Sequence, residues 1–116
     1  MKTVLVIEDN LAIRENTVEL LELLGFQVAS APDGPTGLQL IQEIRPDSIL
    51  CDILMPGMDG YAVLRELRSQ RYDQTASFYF MSAQAEMSDR QKGIALGATG
   101  YLIKPFTEKE LLACFN

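Results

Sequence analysis

Residues 48–60 read SILCDILMPGMDG, an apolar run that ends in an acid and passes into a turn rich in proline and glycine. Similar apolar runs are VLVI at residues 4–7 and FYFM at residues 78–81. None of the three alternates apolar with polar residues, which is typical of parallel strands covered on both faces. This pattern predicts a parallel sheet with polar chemistry where a strand gives way to a turn.

Strand-like runs alternate with segments of helical period along the 116 residues. This alternation predicts an α/β fold with one open, doubly wound parallel sheet, right-handed crossovers and helices on both faces. Each helical segment follows a residue that favours a helix start. The predicted strands are Thr3–Ile7, Phe26–Ser30, Ser48–Cys51, Phe78–Met81 and Gly100–Ile103, and the residues expected to precede the helices are Asn10, Asp33, Asp59, Ser88 and Thr107.

The composition restricts the class of protein. A chain of 116 residues, 47% of them hydrophobic, is long enough for one domain with its own core and too short for two of ordinary size. Sixteen acidic and ten basic residues give a net charge of −6, which argues against a nucleic-acid-binding surface. The lack of histidine excludes Ser-His-Asp and Cys-His catalysis, zinc held by histidine and a histidine phosphocarrier.

The cysteines and the N-terminal sequence bear on the cellular compartment. Cys51 and Cys114 form neither a C-x-x-C motif nor a paired framework, so we expect both to be reduced. In the opening MKTVLVIEDN only four consecutive apolar residues precede the first acid, and no later stretch approaches ~18 apolar residues. We therefore expect a cytoplasmic protein without membrane contact.

Residues suited to metal and phosphate chemistry follow four of the five predicted strands. Glu8 and Asp9 follow the first strand, Asp52 the third, Ser82 the fourth and Lys104 the fifth. Ligands of open parallel sheets bind beyond the carboxyl ends of the strands, so one ligand could contact all of these side chains. If the first and third strands are neighbours, and therefore about 4.8 Å apart, their carboxylates repel one another unless a cation such as Mg²⁺ lies between them. This pattern predicts a phosphoryl-transfer site with a carboxylate nucleophile that forms an acyl phosphate.

Four motifs in this order resemble those of the receiver domains of two-component response regulators, the CheY-like family. The resemblance covers nearly all of residues 1–116 as one receiver domain. It implies a flavodoxin-like (βα)5 fold with strand order 2-1-3-4-5. The matching pieces are VLVIEDN at 4–10, PD at 46–47 with DILMPGMDG at 52–60, MSA at 81–83, and GA at 97–98 with YLIKPF at 101–106.

The resemblance also implies a role for each residue of the metal and acceptor site. Asp52 would be the phosphoacceptor. Glu8 and Asp9 would hold Mg²⁺, or Mn²⁺ in its place, together with Asp52 and the main-chain carbonyl of Leu54. Ser82 would bond a phosphoryl oxygen and take part in the conformational switch.

Further residues match family positions outside the metal set. Lys104 would pair with the phosphoryl group, and the bond from Lys104 to Pro105 would be cis. Tyr101 matches the switch aromatic. Leu54 and Gln84, two residues past the acceptor and the switch hydroxyl, occupy the positions that tune dephosphorylation.

The function implied is a phosphorylation-dependent signalling switch rather than an enzyme. A sensor histidine kinase or a phosphotransfer protein would donate phosphate, and the new charge would shift the population between two conformations. The domain itself would catalyse only its own phosphorylation and slow dephosphorylation. The face made by the fourth helix, fifth strand and fifth helix would change, which would control partner binding or homodimer formation.

Three alternatives come from other functional classes. A flavin- or nucleotide-binding domain is disfavoured because Glu8 and Asp9 would repel phosphate where a glycine-rich loop would cradle it. An aspartyl-phosphate phosphatase usually carries a second acid where this chain has Leu54. The third is a receiver-like scaffold that is no longer phosphorylated, and Mg²⁺ binding would separate it from a working switch.

Overall fold

The computed structural model describes residues 2–69, 76–83 and 87–115, with side chains left out at 87–90. Strands and helices alternate throughout these segments. The strands are β1 (Thr3–Ile7), β2 (Gln27–Ala31), β3 (Ser48–Asp52), β4 (Ser77–Ser82) and β5 (Gly100–Ile103), and the helices are α1 (Leu11–Leu23), α2 (Gly34–Ile44), α3 (Gly60–Ser69), α4 (Met87–Ala95) and α5 (Glu108–Cys114).

The five strands form one parallel sheet with the order β2-β1-β3-β4-β5. The predicted α/β class, doubly wound architecture and strand order are confirmed. In the register, Ile7 of β1 lies opposite Ala31 of β2 on one side and Cys51 of β3 on the other. The winding direction therefore reverses between β1 and β3, which places Glu8 and Asp9 beside the end of β3.

Each strand of the sheet centre is buried on both faces. Along β1, Leu5 and Ile7 belong to a core shared with α2 and α3, whereas Val4 and Val6 belong to a second core shared with α1 and α5. All four side chains have no exposed surface. The unbroken apolar runs in the sequence therefore reflect helices packed on both sides of the sheet.

The strand and helix limits differ from the sequence prediction by one residue at several ends. β1 and β5 match the prediction, β3 and β4 are longer, and β2 begins at Gln27 rather than Phe26. The N–H of Phe26 instead donates to the carbonyl of Leu21 to close α1, next to Gly25 with a φ of 95°. The predicted start of α4 after Ser88 is wrong, because the helix begins at Met87.

The polar residues predicted to start helices do so in four cases. Asn10, Asp33 and Asp59 each accept a hydrogen bond of 2.8–3.0 Å from the main-chain N–H three residues further along. Thr107 and Glu110 form a capping box at the start of α5. These caps fix the residue at which each loop from the carboxyl edge of the sheet enters its helix.

Two smaller predictions also have an outcome. Cys51 and Cys114 are both free thiols, and burial raises the pKa of each, for Cys51 with added repulsion from the Asp52 and Glu8 charges. Within the described ranges, no helix combines the length and the apolar character needed to cross a membrane.

Candidate functional site

The carboxyl edge of the sheet brings the predicted site residues together. Glu8 and Asp9 follow β1, Asp52 and Ser82 are the last residues of β3 and β4, and Lys104 directly follows β5. Glu8, Asp52 and Ser82 are 1%, 6% and 7% exposed, while Asp9 is exposed. Three polar groups are thus buried side by side at one edge, an arrangement that requires partners for each of them.

Three carboxylates form the acidic centre of this edge. One carboxylate oxygen from each of Glu8, Asp9 and Asp52 lies within 4.8 Å of the other two. Oxygens that bind one Mg²⁺ lie roughly 3–4 Å apart, as its octahedral geometry at about 2.0–2.1 Å requires. The donor set consists only of hard oxygens, and their mutual spacing of at most 4.8 Å is close to that range. The residues therefore fit a Mg²⁺ ion.

Lys104 pairs with two of the three acids. Its Nζ donates to Glu8 Oε1 at 2.7 Å and lies 3.1 Å from Asp52 Oδ1. Burial opposes the charged form of Lys104, but the hydrogen bond to Glu8 and the charges of Asp52 and Glu8 outweigh it, so the pKa of Lys104 is raised. Three carboxylates and one ammonium leave a net charge of −2, which a divalent cation would balance.

The turn after β1 is held by several main-chain contacts. The N–H of Glu8 donates to the carbonyl of Ala31 at 3.0 Å, and Asn10 caps α1. Arg14 Nη1 donates to the main-chain carbonyl of Glu8 at 2.8 Å. The sequence analysis did not identify Arg14, whose position in the first turns of α1 was the only available signal.

The turn after β3 packs tightly against the acceptor strand. The N–H of Gly60 donates to the Ile53 carbonyl at 2.9 Å, and a Cβ at Gly60 would lie 2.4 Å from the Asp52 main-chain oxygen. Only glycine fits this contact. Leu54 lies in the same turn and is 77% exposed. Gln84 lies outside the described residues.

Tyr101 lies beside a pocket between α4 and β5. It is half-buried, opposite Phe80 in the sheet register, with ring centroids 6.4 Å apart. The Phe80 ring also packs on Tyr61 at 5.1 Å. The pocket has a volume of about 200 Å³ and is lined by Phe80, Gly93, Ile94, Ala98, Gly100 and Tyr101.

A groove runs along α1 on the other side of Lys104. The Lys104–Pro105 bond is cis, as the resemblance implied, and the following residues form one wall of the groove. The groove has a volume of about 470 Å³ and is lined mainly by apolar side chains, with Ile13, Asn16, Thr17, Leu20, Ala83, Lys104, Pro105 and Phe106 around it.

Comparisons with known proteins identify one family. Residues 4–116 match the model of the response regulator receiver domain. Response regulator MprA of Mycobacterium sp. (strain KMS) is 40% identical over 95% of this chain and 47% of its own length. The probable transcriptional regulator ycf27 of Guillardia theta is 37% identical over 95% of this chain and 42% of its own length. The chain thus spans less than half of these relatives.

Solved structures agree with the family match. The chemotaxis protein CheY4 of Vibrio cholerae superposes with a TM-score of 0.93 at 32% identity, covering 99% of this chain and 96% of that one. The similarity extends over the whole sheet and its helices, including the edge that carries the three acids and Lys104.

Proposed function

This chain belongs to the response regulator receiver domain family, and on that basis we propose that it is a signalling switch phosphorylated on Asp52. The observation that carries the proposal is the meeting of Asp52 with Glu8, Asp9 and Lys104 at one edge of the sheet. A scaffold that had lost phosphorylation would have no need to bury Glu8 and Asp52 beside a single ammonium. We propose a sensor histidine kinase or a phosphotransfer protein as the donor.

Glu8, Asp9, Asp52 and the main-chain carbonyl of Leu54 would hold the metal ion. Mg²⁺, or Mn²⁺ in its place, would supply positive charge next to the transferred phosphoryl oxygens. The acids compensate for the cost of placing a divalent cation there, and the exposed position of Asp9 leaves an entry path from solvent.

The transfer step uses the side chains of three neighbouring strand ends. An Asp52 carboxylate oxygen attacks phosphorus while the bond from phosphorus to the donor's histidine nitrogen breaks, and the imidazole leaves with the bonding electron pair. Lys104, now 3.1 Å from Asp52 Oδ1, turns toward a phosphoryl oxygen. The Ser82 hydroxyl donates to another phosphoryl oxygen. Leu54 and Gln84 remain the predicted positions for tuning the later attack of water.

The groove beside Lys104 is the surface that we assign to the donor protein. Lys104 lines both the groove and the acid site, so a protein seated against Ile13, Leu20 and Phe106 would hold its phosphohistidine near Asp52. Apolar lining next to a charged site suits a protein partner, because burial provides affinity while the charges orient the reacting groups.

The output is a change of the face made by α4, β5 and α5. Ile94, Ile103 and Leu112 are exposed on these three elements, which gives the face apolar contact area for a partner or a second copy. Movement of Ser82 toward the phosphoryl group would open space for Tyr101 to enter the neighbouring pocket. With a net charge of −6, we propose no nucleic-acid contact for this domain. The cytoplasmic location stays a prediction.

A phosphorylation assay tests the proposal. The protein is incubated with Mg²⁺ and acetyl phosphate, and intact mass together with peptide mapping counts and locates the phosphoryl groups. We expect one group, at Asp52, and none in Asp52→Asn. Asp47→Asn is the matched control, because Asp47 directly precedes the same strand and accepts a hydrogen bond from Thr3 at the opposite edge of the sheet. Equal labelling of wild type and Asp52→Asn would overturn the proposal, and no labelling of wild type would support the scaffold alternative.

A further inference from the structure

We infer that Arg14 is a positioning residue for the metal site, which holds the Glu8–Asp9 turn in the geometry that binds Mg²⁺. The inference rests on the proposed function, because it concerns the same ion. Its starting point is the 2.8 Å hydrogen bond from Arg14 Nη1 to the main-chain carbonyl of Glu8. This carbonyl belongs to the peptide unit that joins the two adjacent acids.

The orientation of this peptide unit decides where Asp9 points. Glu8 is the last residue tied to the neighbouring strand, through its N–H bond to Ala31, where β2 ends. The chain then leaves the sheet and enters α1 at Leu11. Asp9 is exposed, so packing does not fix its direction. Arg14, which lies on α1, donates to the Glu8 carbonyl and thereby anchors this peptide unit.

Glu8 has contacts that Asp9 lacks in the described structure. The Glu8 carboxylate pairs with Lys104 at 2.7 Å and accepts a longer bond of 3.4 Å from the N–H of Asn10. The hydrogen bond from Arg14 therefore matters most for the orientation of Asp9. Groups that orient a metal ligand without touching the metal commonly affect the affinity for the metal in this way, because they reduce the reorganisation needed on binding.

Charge and position predict opposite results when Arg14 is removed. A guanidinium near a cation site repels the cation, so its loss would strengthen Mg²⁺ binding if its charge were its only effect. A positioning role predicts weaker binding instead, because the turn loses its anchor. The sign of the change in affinity therefore separates the two effects.

The experiment measures Mg²⁺ affinity by titration calorimetry in wild type, Arg14→Met, Arg14→Lys and Arg65→Met. Arg65 is exposed on α3, so Arg65→Met removes the same charge away from the turn. We expect the Mg²⁺ Kd to rise about tenfold in Arg14→Met, the lower end of the usual range for groups behind a metal ligand. Arg14→Lys, which keeps the charge and one donor, should fall between, and Arg65→Met should bind like wild type.

A second measurement on the metal-free proteins tests the anchor directly. Amide hydrogen exchange at Asp9 and Asn10 should speed up in Arg14→Met while exchange in β1 is unchanged. Circular dichroism checks that each variant is folded, and Arg14→Lys replaces Arg14→Met if the latter is not. Equal or tighter Mg²⁺ binding by a folded Arg14 variant would overturn this inference alone. Absence of Mg²⁺ binding by wild type would overturn it together with the proposed metal site.

Discussion

Two regions of the molecule are built in different ways. The acid edge of the sheet carries Glu8, Asp52 and Lys104, whereas the α4 side is the region around Gly93 and the pocket next to Tyr101. At the acid edge, Glu8 and Asp52 are almost fully buried and share the ammonium of Lys104. On the α4 side, burial is described for residues 91–95 of the helix, and among these only Gly93 is buried. Its Cα faces the Phe80 ring so closely that an added Cβ would lie 2.9 Å from two ring atoms. Ile94, the next residue, is 66% exposed.

The difference shows how one small domain can hold a fixed site and a movable face. The acid edge is held by charges whose separation would leave buried groups without partners, which is costly. Among the described side chains on the α4 side, Gly93 packs on the Phe80 ring and Lys92 Nζ lies 4.4 Å from the centroid of the Tyr61 ring, next to a pocket of about 200 Å³. These contacts are weaker than the buried ion pairs of the acid edge, so a shift of the helix costs less. We therefore expect the chemistry to stay in place while α4 and Tyr101 respond to it.

The largest effect should come from Lys104→Met, which removes the charge that holds the acid edge together. Without Mg²⁺, we expect a loss of about 3 kcal/mol in the free energy of unfolding, as for a broken buried ion pair. Mg²⁺ should restore part of it. Urea unfolding with and without Mg²⁺ measures the change, and Lys109→Met, exposed on α5, should stay within about 0.5 kcal/mol of wild type.

The pH dependence of stability tests the same role of Lys104. Because the pKa of Lys104 is raised in the folded state, its contribution to stability is complete below the ordinary lysine pKa and is lost as pH rises through the raised value. Urea unfolding of wild type and Lys104→Met across the pH range measures this contribution as the difference between their free energies of unfolding. A difference that is already lost at neutral pH would contradict this assignment.

A smaller effect is expected from Gly93→Ala on the α4 side. The added Cβ would lie 2.9 Å from two atoms of the Phe80 ring, so α4 must move away. Overpacking should cost about 1–3 kcal/mol, reduced by the higher helix propensity of alanine, about 1 kcal/mol. Denaturant unfolding should show that adding Phe80→Leu to Gly93→Ala recovers stability. If the effects of Gly93→Ala and Phe80→Leu on the free energy of unfolding are simply additive, the contact between the helix and the Phe80 ring does not determine how α4 packs.

The smallest effect on stability should come from Asp9→Asn. Removing one of three like charges should raise the melting temperature without Mg²⁺ by a few degrees, because repulsion falls. The same change should weaken Mg²⁺ binding, since one ligand charge is lost. Thermal melts and Mg²⁺ titrations test both directions, and equal Mg²⁺ affinities in variant and wild type would place the ion elsewhere.

The acid edge could be predicted from sequence because each of its residues is marked by its position at the end of one strand. Glu8, Asp52 and Lys104 each stand at the end of an apolar run, and parallel strands bring their carboxyl ends to one edge. Helix starts at Asn10 and Asp33 were predicted for a similar reason, since capping depends on residues three positions apart. The strand order came from the family resemblance.

The α4 side and Arg14 could not be predicted because they depend on contacts between distant residues. The fit of Gly93 over Phe80 joins α4 to β4 and leaves no periodic signal in either segment. Arg14 contacts a main-chain carbonyl, which every residue has, so its sequence carries no mark of that partner. Phe26 is predicted to begin β2, but its N–H is used to close α1.

The central claim is that an event at Asp52 reaches the face of α4, β5 and α5. Beryllofluoride with Mg²⁺ mimics the acyl phosphate, and amide exchange together with sedimentation can follow its effect in wild type and Tyr101→Ala. We predict changed exchange in β5 and α5 and changed association in wild type, both reduced in Tyr101→Ala. Changes confined to the loops around Asp52, with association unaffected, would contradict the account and show that the Tyr101 ring stays fixed against Phe80.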